Sequence, residues 1–427
     1  MLDMRLLKDN PDFLREACRL KAVNVDIDRA VSLDARRREI LLEKEALQNE
    51  RNRVSKDIAS AKKSGQDTAP AQEEMKKVGE RIGALESEER GIGEELRAIM
   101  LSIPNHASPD SPVGDESANA VVATWGEKPA FSFKPRPHWD ICEELGMLDL
   151  KRGVKIAGSG FILYRGLGAR LERALYNFFL DFHTSRHGYT EWFPPFLVNR
   201  DSMIGTGQLP KLEEDMYHCD KDDDLFLIPT AEVPITNIHR DEILSLEELP
   251  LKYCAYSACF RREAGAAGKD TRGLLRVHQF NKVELVKFCR AEDSYAEHEK
   301  LRQDVEDIFQ ALNLPYRILN LATQDMSFAA AKCYDIEVWS AGVEKYLEAS
   351  SCSVFTDYQA RRANIRYKDE NKKTQIAHTL NASGVALPRT VVAIIENNQR
   401  EDGSVAIPEA LRPYMGGLTE IRNNRHK

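Results

Sequence analysis

Long apolar stretches are missing from this 427-residue chain. The longest uninterrupted run, residues 391–395, is far short of the roughly 20 residues that span a bilayer, so no membrane helix is expected. The opening MLDMRLLKDNPDF breaks any apolar core with charge and is not a signal peptide. The 8 cysteines form no C-x-x-C pair, and no His/Cys pair follows Cys254 and Cys259 at zinc-finger spacing. That argues against a disulfide framework or a zinc site and for reduced, mostly buried thiols in a cytoplasmic protein. An excess of basic charge is absent too: a net charge of −8 speaks against indiscriminate nucleic-acid binding, but it allows a local basic patch. The glycines of residues 158–160 lack the third glycine of a dinucleotide fingerprint, where Leu163 stands, and no βαβ unit surrounds them.

Charged residues are plentiful, at 30% of the chain, and the length suits two or three domains. Asn10-Pro11-Asp12 starts a short amphipathic helix with Phe13, Ala17 and Leu20 at helical spacing. From about Arg29, Leu33, Ile40, Leu47, Val54 and Ala61 recur every seven residues. After a Gly/Pro turn at residues 65–70, Val78, Leu85, Ile92 and Ile99 form one heptad series, and Met75, Ile82 and Leu96 form another that Glu89 interrupts. This pattern predicts an antiparallel helical hairpin. Its first helix has the thinner seam, because Arg37, Lys44 and Arg51 stand where apolar residues belong. Residues 29–63 carry ten Lys/Arg against six Asp/Glu, whereas residues 70–101 carry five against eight. Such a helix is a solvated face, part of a dimerising coiled coil, or an arm that grips a nucleic-acid backbone through phosphate contacts. Pro, Ser, Gly and Asp then dominate residues 104–118, which read as a linker between an arm of residues 1–103 and a body of residues 119–427.

The body reads as mixed strand and helix. A helix over residues 166–186 has a broad apolar face, and GYTEWFPPFLVN is a strand stopped by paired prolines at an edge or an interface. Residues 253–262 and 277–288 read as two strands of a hairpin, joined by a Gly-rich loop with Lys269, Asp270 and Arg272. On that reading Arg261 and Glu263 share one strand face, as do Phe280 and Glu284 on the return strand. A guanidinium beside a carboxylate suits a phosphate held next to a base, although the same pattern also describes a surface hairpin with ordinary ion pairs. Thr230 and Glu232 end a buried strand, where they suit either an amino-acid pocket or a helix N-cap. Glu348 and Ser351 offer hard oxygens for Mg²⁺, on a weak E-x-x-S signal. Residues 381–384 read as a small-residue turn before an apolar helix with Arg389 near its start, either an anion site or a core helix with its arginine turned outward.

Taken in order, these pieces resemble the class II aminoacyl-tRNA synthetases, and within them the seryl-tRNA synthetases of bacterial type. GYTEWFPPFLV resembles class motif 1, FRREAG with RVHQFNKVELV resembles motif 2, and NASGVALPRTVVAIIEN resembles motif 3, with Ala382 and Pro388 where many relatives have glycine. TAEVPITN and EASSCSVFTDYQARR resemble segments particular to the seryl enzymes. The resemblance implies an α+β fold, an antiparallel sheet with flanking helices and an N-terminal coiled-coil arm. It also implies ATP-dependent activation of L-serine and transfer to serine tRNA, with selenocysteine tRNA a second candidate, in a cytoplasmic homodimer with no membrane or DNA partner. By the same carry-over, Arg261 and Arg389 act in catalysis. ATP falls to Arg261, Arg262, Glu263, Val277, Phe280, Glu348, Ala349, Ser350, Ser351 and Arg389, and Mg²⁺ to Glu348 and Ser351. Serine falls to Thr230, Ala231, Glu232, Arg261, Glu284 and Ser383, the dimer contact to Pro195, and tRNA to Arg51, Arg53, Lys56, Lys62 and Lys63. A carrier-protein ligase would lack the long arm, and a non-catalytic relative would have lost Arg261, Glu263, Glu348 or Arg389.

Overall fold

The structure is a computed structural model that describes residues 1–219, 221–263 and 272–423. Lys269 and Asp270 of the Gly-rich loop, and the last four residues of the tail, lie outside the described residues. The chain forms two compact units that meet in sequence between His106 and Ala107.

In the N-terminal unit, helix α1 (Pro11–Leu20) is capped by Asn10, whose side chain accepts from the Phe13 N–H, and it buries Leu14, Ala17, Cys18 and Leu20. Helices α2 (Ile27–Lys63) and α3 (Ala69–Ser102) form the expected antiparallel hairpin. At 1.5 Å per residue they are about 55 and 51 Å long. Burial is concentrated where the hairpin joins the rest of the unit: Ile27, Ala30, Leu33 and Ile40 are buried on α2, and Ile82, Leu85, Leu96 and Met100 on α3. Leu47, Val54 and Ala61, further along, are half-buried, because two helices alone can cover only one stripe of each other. Arg29–Glu95, Arg36–Glu88 and Glu43–Arg81 pairs cross the hairpin and set its antiparallel alignment.

The second unit is built on an eight-stranded sheet. Its strands are β1 (Ala120–Trp125), β2 (Thr190–Trp192), β3 (Leu251–Phe260), β4 (Gln279–Cys289), β5 (Tyr316–Asn320), β6 (Lys332–Ser340), β7 (Lys345–Thr356) and β8 (His378–Ala386). Their order is β1-β5-β6-β7-β8-β4-β3-β2, antiparallel throughout except for the parallel edge pair β2–β3. Helices α4 (Leu167–Arg186), α5 (Ser294–Ala311) and α6 (Leu387–Asn397) share one core with the sheet. Leu175, Phe179, Val305, Phe309, Val392 and Ile395 pack there with Val283, Leu285, Ile336 and Val354. Strand alternation sends Lys282 and Glu284 of β4 to the opposite face. The segment from residue 107 is tied along this body by backbone bonds, Ser108 N–H to Ala331 O at 2.7 Å and Thr323 N–H to Pro112 O at 2.9 Å.

Two local expectations are corrected. Residues 381–384 are no turn; they lie within β8, hydrogen-bonded between β7 and β4. Their small size serves packing: a Cβ on Gly384 would sit 2.7 Å from Leu285 Cγ and 2.8 Å from His183 Nε2. Arg261 and Glu263 also stand beyond the end of β3, and Glu263 adopts a left-handed φ of 51°, so strand alternation is not what aligns them.

Candidate functional site

The polar face of the sheet opens into a cleft with a wide lobe of about 530 Å³ and a narrow one of about 200 Å³. Arg261, Glu263, Arg276, Lys282, Glu348 and Ser383 border both lobes. Thr230, Glu232, Ser351 and Asn381 line the wide lobe. Val277, Phe280, Ala349, Pro388 and Arg389 line the narrow one.

Each side chain reaches the cleft for a local reason. Phe280 and Lys282 alternate inward along β4, and the Arg261 guanidinium lies 5.1 Å from the Phe280 ring. Arg389 follows Pro388 in the first turn of α6, where proline is well tolerated, and donates to the Glu348 carbonyl at 2.6 Å and carboxylate at 2.9 Å. Glu348 and Ser351 are three apart in β7, and a regular strand would turn them to opposite faces. The pairing slips between Ile336↔Ser350 and Glu337↔Glu348, which leaves Ala349 as the extra residue. That bulge restores both side chains to the cleft.

This arrangement has counterparts among known proteins. Residues 1–107 match the family model described as the seryl-tRNA synthetase N-terminal domain, and residues 216–398 match the class II core domain of the G, H, P, S and T tRNA synthetases. The serine–tRNA ligase of Pelotomaculum thermopropionicum is 54% identical over 99% of this chain and 100% of its own. That of Geobacter sulfurreducens is equally similar, at 54% over 99% and 100%. The chain belongs to the seryl-tRNA synthetase family. A solved seryl-tRNA synthetase from Pyrococcus horikoshii, complexed with ATP, has a TM-score of 0.92 at 37% identity and covers 99% of this chain and 100% of its own. A cytoplasmic serine–tRNA ligase from Naegleria fowleri in complex with AMP reaches 0.88 at 29% identity, covering 100% of this chain and 99% of its own.

Several residues assigned to the synthetase's cleft stand elsewhere. The Arg262 side chain is turned out toward the Tyr217 ring, 5.9 Å away, because its own N–H is held by the Asp215 carbonyl. Ala231 is buried among Ile235, Val286 and Phe288. Ser350 points away from the cleft and donates to the Ser383 carbonyl at 2.5 Å. Glu284 lies under the cleft floor, 1% exposed, where Thr230 donates to it at 2.5 Å, Asn381 at 2.9 Å, and Lys282 pairs with it. Sequence reasoning passed over Lys282, although it shares its strand face with Phe280 and Glu284, and Asn381, which shares one with Ser383. It also missed Arg276, ion-paired with Glu263, and Gln359, which donates to Glu232 at 2.6 Å from α-helical residues behind the pocket.

Electrostatics divides the carboxylates. Burial, then the nearby Glu284, pushes the Glu232 carboxyl up to about 7, against the pull of Gln359, Lys282 and Arg261. Desolvation by the cleft walls opposes the charge of Glu348, although its side chain stays 45% exposed, and Arg389, Arg261 and Lys282 outweigh it and hold that carboxyl below its usual range. Asp335, opposite Ser351 on β6, is pushed well above the usual range by burial and by Glu348. Pro195 is exposed beyond edge strand β2, close in sequence to the exposed Trp192, Phe193 and Leu197. Arg51, Arg53, Lys56, Lys62 and Lys63 are all exposed on the distal half of α2.

Proposed function

We propose that this serine–tRNA ligase holds ATP in the narrow lobe and serine in the wide one, with the α-phosphate where they join. The observation that carries the reading is the convergence of Arg261, Phe280, Glu348 and Arg389 on one cleft that widens toward Thr230 and Glu232. Phe280 presents a ring and Arg389 a planar cation for adenine, with Glu263 at its edge. Arg261 and Arg276 supply fixed positive charge for phosphates. Glu232 and Thr230 accept from the serine ammonium group. Ser383 and Asn381, braced by Glu284, face the serine hydroxyl, so alanine would leave buried polar groups unpaired.

In the first step a serine carboxylate oxygen attacks the α-phosphorus, the bond to the bridging oxygen breaks, and pyrophosphate leaves. Arg261 stabilises the charge that builds on the α-phosphate oxygens. In the second step a ribose hydroxyl at the tRNA 3′ end attacks the seryl carbonyl and AMP leaves. No covalent enzyme intermediate is needed, so the protein contributes position and charge.

Among the described residues, no three His, Cys, Asp or Glu side chains form a ready metal cage. The donor set nonetheless fits Mg²⁺, which favours one or two carboxylates completed by phosphate oxygens. Glu348 and Ser351 would hold it, with Asp335 adjacent, and it would neutralise triphosphate charge. The exposed cations of α2 grip the tRNA backbone, and the apolar edge around Pro195 docks a second copy. The cytoplasm is the compartment that this reading requires.

ATP–pyrophosphate exchange measured across the amino acids tests the assignment. Exchange should depend on serine and tolerate removal of tRNA; exchange with another amino acid, or none, would remove it.

A further inference from the structure

Two fully buried ionisable side chains take no part in the steps above. Glu396, near the end of α6, accepts five hydrogen bonds. They come from the His138 backbone N–H and Nδ1, each at 2.8 Å, from the Ser340 hydroxyl, and from the Gly342 and Val343 N–H groups at 2.8 and 3.2 Å. Ser340 ends β6, and Gly342 and Val343 form the turn into β7, the strand that carries Glu348. The other ring nitrogen of His138, Nε2, receives the Leu274 N–H at 3.0 Å. A backbone N–H can only donate, so Nε2 carries no proton, and Nδ1 holds the proton and donates it to Glu396.

Leu274 is 1% exposed, and two residues later Arg276 borders both lobes of the cleft, with Val277 lining the narrow one. The limb is pinned a second time at Arg272, whose guanidinium stacks on Trp139 at 5.1 Å. Gly273 completes the fit: its φ is +60°, and a Cβ there would lie 2.3 Å from His138 Nε2. One carboxylate therefore ties together the turn that leads to Glu348 and, through one imidazole, the limb that leads to Arg276.

We infer that His138, oriented by Glu396, is a positioning residue for the nucleotide lobe, holding the 274–277 limb in register so that Arg276 and Val277 meet ATP. The inference rests on the narrow lobe being the ATP site. A buried node of this kind acts by fixing geometry, and small displacements of charged groups around a transferring phosphate are costly.

Two substitutions separate the two ends of the ring. His138→Gln puts a carbonyl oxygen near Nε2 and can still accept from Leu274. His138→Asn puts an amide donor near Nδ1, keeps the Glu396 bond and abandons Leu274. In serine-dependent pyrophosphate exchange, His138→Asn should raise KM for ATP about tenfold or more and leave KM for serine within about twofold, while His138→Gln stays within about threefold of the parent on both. Gly273→Ala, which intrudes on the ring from the opposite side, should copy the asparagine variant. Equal losses toward ATP and serine, or an unchanged KM for ATP in both His138→Asn and Gly273→Ala, would overturn the role. Calorimetric titration with ATP alone gives a readout that needs no amino acid. If the parent protein binds ATP but shows no serine-dependent exchange, the serine assignment fails, and the ATP affinities of the variants still decide this one. A variant that does not fold is replaced by the other member of the Asn/Ala pair.

Discussion

Lys44 Nζ lies 2.7 Å from a Glu89 carboxylate oxygen across the helical hairpin, at positions where the apolar heptads of both helices break off. Each interruption by itself looks like a defect of the seam. Together they are one partly covered pair, with side chains 16% and 23% exposed, so each charge is matched where the seam would otherwise leave it alone. Lys44→Leu alone should destabilise the hairpin by about 1–3 kcal/mol, because Glu89 loses its partner. Lys44→Leu with Glu89→Leu should be neutral or stabilising by about 1–4 kcal/mol. Thermal melts of helical circular dichroism, arranged as a double-mutant cycle, check this; additive single effects would show that the two charges are uncoupled.

Arg261→Ala should lower serine-dependent pyrophosphate exchange by roughly 10²–10³-fold, the size expected when one preorganised charge-stabilising donor is lost. The fall should be in kcat as much as in kcat/KM. Near-parental exchange would take the α-phosphate role away from Arg261.

Deleting residues 30–100 removes most of the hairpin and none of the cleft residues. Adenylate formation should persist at close to its full rate, while charging of serine tRNA falls below detection. Charging that survives the deletion would mean that the tRNA is gripped elsewhere.

Glu232 sets a pH dependence. Its carboxyl is raised to about 7, so in the free enzyme it becomes protonated as the pH drops through that value and can no longer pair with an ammonium group. The kcat/KM for serine should therefore fall on the acid side of about pH 7, approaching tenfold per pH unit. Glu232→Gln should weaken serine and flatten this limb. A limb that persists in the glutamine variant belongs to another group.

Glu172 gives a matching test on stability. It is buried in α4, and desolvation raises its carboxyl to about 7, offset in part by Asn281 and Tyr164. The folded protein then keeps a proton that the unfolded chain releases near pH 4.5. The contribution of this group is greatest below that pH and is lost as the pH rises toward 7, by about 3 kcal/mol at roughly 1.4 kcal/mol per pKa unit. Glu172→Gln should accordingly raise the unfolding free energy relative to the parent at pH 8 and change it little at pH 4. An identical difference at both pH values would show that Glu172 does not titrate in this window.

Much of the architecture was legible before any coordinates. The heptads of α2 and α3, the apolar face of α4 and the alternation of β4 are local periodicities, and each needs only a partner surface to become structure. Motif residues far apart in the chain were readable as one set only through the resemblance to the seryl-tRNA synthetases, because each segment alone also had an ordinary structural reading. The misreadings fall where spacing is a poor guide to direction. Small residues commonly make turns, yet at residues 381–384 they belong to a strand, and Gly384 lets β8 pass close to Leu285 and His183. Arg262 and Ser350, which the resemblance carries into the ATP site, turn their side chains out of the cleft: the Arg262 N–H is held by the Asp215 carbonyl, and the Ser350 hydroxyl donates to the Ser383 carbonyl.

What this sequence determined by itself is where the long periodic helices and strands lie and which residue types are on hand for chemistry, since both follow from short-range pattern. Which of those residues share a cavity was decided only in three dimensions. An extra residue at Ala349 turns Glu348 and Ser351 to one side, and Glu284 sinks beneath Thr230, Lys282 and Asn381. Bulges and burial arise from long-range pairing, where each side chain's environment is supplied by strands distant in sequence, and no local spacing carries that information.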